Sequence, residues 1–87
     1  MDKEYPMYDQ NAILAENVKR LREERGWSVK ELAKRCNYTE LLINDIEKGI
    51  AAVDVIGVVV LSKAFHVPAS DLIIWKDDVE RMRRETE

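Results

Sequence analysis

The sequence predicts an all-α fold: a compact five-helix bundle followed by a C-terminal helical extension. Three observations predict it. Only three Gly and two Pro interrupt 87 residues, so few positions force a turn. Apolar residues recur at spacings of three and four, the period of an amphipathic helix. Residues that cap helices, Ser28, Thr39 and Asp54, stand immediately before such stretches.

The first ten residues, with Pro6 and two tyrosines, carry no helical period and read as a flexible N-terminal arm. Leu14, Val18 and Leu21 then form one stripe of a helix from about 11 to 25, and Gly26 ends it. Ser28-Val29-Lys30-Glu31 reads as a capping box, with the N-cap Ser three residues before a Glu. It opens a second helix over about 29–36 with Leu32, Ala33 and Cys36 inward. Asn37 tolerates a left-handed turn. Thr39 caps a third helix over about 40–48, with Ile43 and Ile46 inward, and Gly49 closes it.

Asp54 is a cap for a fourth helix reaching Phe65. Val58-Val59-Val60 favours a strand in isolation, but the cap and the Ser62-Lys63-Ala64-Phe65 end argue for helix. Its predicted core stripe is Val55, Val58, Leu61 and Phe65. Pro68 opens a short fifth helix holding Leu72 and Ile73. Asp77-Asp78-Val79-Glu80 resembles a further capping box, so 78–86 reads as an exposed final helix. The organisation expected is an arm over 1–10, a helical domain over 11–75 and an extension over 76–87.

Hydrophobic residues make up 46% of the chain and charged residues 36%, a mix too apolar for disorder. Its 14 basic and 17 acidic residues leave a net charge of −3, which counts mildly against a polyanion partner. The single Cys36 excludes an intrachain disulfide framework and a multi-cysteine zinc site. The start, MDKEYPMYDQNA, lacks the apolar core of a signal peptide. No apolar run approaches the ~20 residues that span a membrane. A reducing cytoplasm is the expected compartment, with no membrane partner.

Two short helices joined by a tight turn, with small Ala33 where they cross, form a helix-turn-helix over Ser28–Gly49. Asn17-Val-Lys-Arg-Leu-Arg-Glu-Glu-Arg-Gly-Trp-Ser, then Glu31-Leu-Ala, Ile43, Ile46-Glu47-Lys48-Gly49 and Ala64-Phe65-His66-Val67 resemble the phage repressor/Cro (Xre) helix-turn-helix family. The resemblance spans roughly residues 14–74 and implies a repressor-like bundle. It also implies an ion pair between Arg22 and Glu47 that ties helix 1 to helix 3.

In that family helix 3 lies in the major groove. Carried over, Glu40, Leu41, Asn44 and Asp45 face bases, while Ser28, Lys30, Thr39 and Lys48 face phosphates. The chain departs from the pattern in places. Val29 stands where the family usually has Gln, and Ile50-Ala51-Ala52-Val53 follows Gly49 where a basic residue or Pro is usual. Residues 39–49 carry Lys48 against Glu40, Asp45 and Glu47, one positive charge against three negative.

The function implied is a sequence-specific, DNA-binding transcriptional regulator acting on double-stranded DNA as a homodimer, without cofactor or metal. Ile50, Val53, Ile56, Val59, Val60 and Trp75 exceed what one core face needs and read as a dimer or partner interface. They also leave a second reading open, a helix-turn-helix that has become a protein-protein interaction module. His66 reads as a turn residue, Cys36 and Tyr38 as core, and Trp27 as packing on the end of helix 1. The mixed run Glu80–Glu85 reads as a solvated face. An enzyme is not expected, because one His and one Cys lie apart and no metal-ligand spacing or phosphate loop occurs.

Overall fold

The computed structural model describes residues 9–85, which form six α-helices and no strand. They are α1 (Gln10–Glu24), α2 (Val29–Cys36), α3 (Glu40–Glu47), α4 (Val55–Phe65), α5 (Ser70–Ile73) and α6 (Lys76–Glu85). The arm expected over 1–10 lies outside the described residues except for its last two. Of those, Gln10 is already helical and Asp9 caps α1, accepting from the backbone N–H of Asn11 at 3.1 Å and of Ala12 at 3.2 Å.

Local chemistry sets most boundaries. Ser28, Thr39 and Asp54 each accept the backbone N–H three residues on, at 3.0, 3.1 and 2.9 Å. The capping box at α2 forms only in half, because the Glu31 carboxylate turns to Arg35 at 2.7 Å instead of the Ser28 N–H. Asn37 takes the left-handed conformation (φ 59°) that lets Tyr38 N–H reach back to the Ala33 carbonyl at 2.8 Å. This is the turn of the helix-turn-helix.

The core gathers Leu14, Val18 and Leu21 of α1, Leu32, Ala33 and Cys36 of α2, Ile43 and Ile46 of α3, Leu61 and Phe65 of α4, and Leu72 of α5. Ala33 is 3% exposed where α2 and α3 cross. Trp27 stacks on Phe65 with ring centroids 5.7 Å apart and the Arg35 guanidinium 4.0 Å from the Trp27 centroid. The α1–α2 turn is thereby fastened to the end of α4.

Two expectations need correction. Val55 is not core: it is 78% exposed, and the buried face of α4 is Gly57, Leu61 and Phe65. Val55 precedes Leu61 by six residues, which at ~3.6 residues per turn puts it about 120° away around the helix. The final helix is not a free exposed one. It starts at Lys76, so Asp77 lies in its first turn rather than capping it. Val79 is 7% exposed, and Arg83 donates to Asp71 at 2.7 Å. Buried Asn17 of α1 holds the approach to it, donating through Nδ2 to the carbonyls of Leu72 at 2.7 Å and Ile74 at 2.9 Å.

Candidate nucleic-acid interface

The candidate surface is the outer side of α3 with the start of α2. Two devices fix α3. At its start Thr39 supplies the cap. At its end Arg22 grips Glu47 as a fork, Nε to Oε2 at 2.7 Å and Nη2 to Oε1 at 3.0 Å, while Nη1 donates to the Trp27 carbonyl at 2.9 Å. Both side chains are nearly buried, and the hydrogen bond to Glu47 raises the Arg22 pKa above its ordinary value.

With Ile43 and Ile46 turned into the core, α3 leaves Glu40, Leu41 and Asn44 exposed on its outer side, and Asp45 half-buried beside them. Leu41 is 70% exposed. Lys48 is exposed at the far end of the helix, and Ser28, Lys30 and Thr39 are exposed at the two helix starts. The oxygens of Ser28 and Thr39 accept cap hydrogen bonds, which leaves each O–H able to donate outward. Lys30, Lys34 and Lys48 take no ion pair among the described residues. Glu47 is consumed by Arg22, so one positive and two negative charges remain over 39–49.

The apolar residues assigned to an interface divide. Ile50, Ile56 and Val59 are exposed, at 69%, 72% and 42%. Val53 and Val60 are instead half-buried against the core, and Trp75 is half-buried on the α5–α6 connection. Val55 joins the exposed group in their place. A shallow cleft of about 230 Å³ lies beside this surface, lined by Tyr38, Leu42, Ile46, Ala52, Val53, Asp54 and Gly57. Gly57 lets Val53 pack against the helix there, since a Cβ at 57 would fall 2.5 Å from Val53 Cγ1.

Burial pushes the Cys36 thiol up to about 11. Burial, with Cys36 and Asp54 nearby, also raises the Tyr38 pKa. Asn17 was missed in the sequence, although a polar residue beside Ile13, Leu14 and Val18 on the inner side of α1 marks a buried hydrogen-bonding site. Among the described residues, no group of His, Cys, Asp and Glu could hold a metal ion, and no helix is long and apolar enough to cross a membrane.

A helix-turn-helix family model (HTH_3) matches residues 18–72. Several solved structures share the fold. The hypothetical transcription factor NHTF from Neisseria superposes with a TM-score of 0.83 over 94% of each chain, at 22% identity. The restriction-modification controller protein C.AhdI from Aeromonas hydrophila gives 0.69 over 75% of this chain and 98% of its own, at 20% identity. The SOS-response transcriptional repressor LexA from Eubacterium rectale gives 0.72 over 87% of this chain and 77% of its own, at 30% identity. No curated protein sequence matches the chain significantly.

Proposed function

The chain belongs to the helix-turn-helix family HTH_3, of the Xre/Cro type, and from that premise we propose that it is a cytoplasmic, sequence-specific transcriptional regulator that lays α3 in the major groove of an operator as a homodimer. The observation that carries this reading is α3 itself. It is pinned at both ends, buried on one side, and presents Glu40, Leu41 and Asn44 on a side that no other part of the described chain covers. An α-helix fits the ~12 Å major groove. Ser28, Lys30, Thr39 and Lys48 flank the reading face as donors to phosphate oxygens, with Glu40, Leu41, Asn44 and Asp45 towards the bases.

The dimer rests on Ile50, Val55, Ile56 and Val59. The stretch 50–61 holds a single charged residue, Asp54, and its carboxylate is occupied by the Gly57 N–H. Two copies can meet across this surface with one like-charge pair at most, Asp54 with its symmetry mate, in an isologous two-fold contact. Val53, Val60 and Trp75 support the surface from behind or from its margin.

In vitro selection from a random duplex pool at low salt, then titration of the winning site across a salt series, tests the reading. A two-fold symmetric site is expected. With Lys30 and Lys48 as the charged contacts of each protomer, log affinity falls against log salt with a slope of about −4 per dimer. Sedimentation of Ile56→Glu is expected to show a monomer with weakened operator binding. The second reading, a protein-contact module, is favoured by the surplus of acid on α3. Failure to enrich any duplex would decide for it.

A further inference from the structure

Resting on the reading that α3 enters the major groove, we infer that this chain reads its half-site through the edges of cytosine, thymine and adenine, with Leu41 seated on a thymine methyl and no contact to guanine. The inference comes from what the exposed side chains of α3 can and cannot offer.

Guanine presents two acceptors in the major groove, O6 and N7, and its usual reader is a forked Arg or a Lys. Neither stands on the first two turns of α3, and the first cation is Lys48, at the far end. Glu40 is exposed and, when ionised, only accepts. Its fit is the N4 amino group of cytosine. Opposite guanine O6/N7 or thymine O4 the carboxylate would face oxygen or nitrogen lone pairs, unpaired and repelled. Asn44, four residues on along the same helix face, offers an amide NH2 donor beside a carbonyl acceptor. That matches adenine, which shows N7 as acceptor and N6 as donor.

Leu41 lies beside this pair. Ile43 and Ile46 supply the buried side of α3 without it, so its 70% exposure serves no packing within the described residues. A leucine has no hydrogen bond to give a base edge. The apolar group the major groove offers is the C5 methyl of thymine.

The test uses the full chain in three forms, wild type, Glu40→Gln and Leu41→Ala. All the changed side chains are exposed, and matching thermal melts establish that each variant is folded. Each form is put through duplex selection, and the thymines of the wild-type site are then replaced one at a time by deoxyuridine, which lacks the methyl. Glu40→Gln is expected to change one selected cytosine to adenine, because Gln pairs bidentately with adenine, and to leave the rest of the site unaltered. One deoxyuridine is expected to weaken wild type about fourfold, the effect of one buried methyl group, and to leave Leu41→Ala unchanged. Three results overturn the inference while operator binding stands: guanine selected by α3, the same base selected by wild type and Glu40→Gln, or equal deoxyuridine losses in wild type and Leu41→Ala. No enrichment by folded wild type overturns the inference and the proposed function together.

Discussion

Arg22 and Glu47, one on α1 and the other at the last turn of α3, meet through two parallel hydrogen bonds of 2.7 and 3.0 Å. The third arm of the guanidinium holds the Trp27 carbonyl. One side chain therefore sets the distance between the first helix, the α1–α2 turn and the end of the candidate reading helix. Their side chains are only 13% and 10% exposed, so removing either partner strands a charge away from water. Glu47→Ala is expected to cost about 3 kcal/mol, lowering Tm by roughly 15 °C for a domain this size. Arg22→Lys should lose most of the same amount, because an ammonium cannot make the fork. Thermal melts followed by circular dichroism check both, and near-wild-type stability of Arg22→Lys would show that the charge alone suffices.

Asn17 does for α5 and α6 what Arg22 does for α3. Its amide donates to two carbonyls, Leu72 and Ile74, at the end of a helix of four residues that has few bonds of its own. Asn17→Ala removes both donors and leaves the Leu72 carbonyl buried without them. The expected loss is about 2 kcal/mol. It should be local, with amide hydrogen exchange in 74–85 accelerating more than in α1–α3. Uniform acceleration would mean that the docking of α6 is not a separate step.

Caps and short-range stripes were legible in the sequence because their causes lie within three or four residues. Ser28, Thr39 and Asp54 need only the N–H three positions on, and Leu14, Val18 and Leu21 need only the helical period. The facing of α4 was not legible. Val55, Ile56, Val58, Val59 and Val60 make the helix apolar on every side, so composition defines no inner face. Contacts of Leu61 and Phe65 with distant helices choose it. The docking of α6 was hidden for the same reason, since it depends on Val79 being buried and on Arg83 meeting Asp71 of α5, while Asn17 holds the end of α5 from 55 residues away. On α3 the spacing of the family motif names the outward positions, Glu40, Leu41 and Asn44.

His66 ends α4 with φ 59° and ψ 46°, in the left-handed region. A side chain with a Cβ pays about 1 kcal/mol to sit there, and His66 is exposed, with no side-chain hydrogen bond or ion pair among the described residues to lose. His66→Gly relieves that strain, offset in part by the greater freedom of glycine in the unfolded chain. A net gain of about 0.5 kcal/mol is expected, a rise in Tm of a few degrees. Asn37 adopts nearly the same angles, and asparagine tolerates them better, so Asn37→Gly should gain less. A larger gain at 37 than at 66 would refute the strain argument.

Stability at alkaline pH should carry the signature of Cys36. Its thiol is held at about 11, above the ordinary 9.0, because burial disfavours the thiolate. Below pH 9 both folded and unfolded chains keep the proton, and the contribution is whole. Between pH 9 and 11 the unfolded chain releases a proton that the folded chain retains, so stability falls as pH rises, by on the order of 2 kcal/mol. Tyr38, also raised by burial, adds a loss of the same sign. A comparison with Cys36→Ala separates the two. The variant loses a buried sulfur and should be the less stable protein at pH 8. Its stability should then decline less steeply, so that the gap between the two proteins narrows towards pH 11. Urea melts at pH 8, 9.5 and 11 measure that gap. A gap that stays constant with pH would mean that the thiol ionises in the folded chain as readily as in the unfolded one, and that the core around Cys36 admits water.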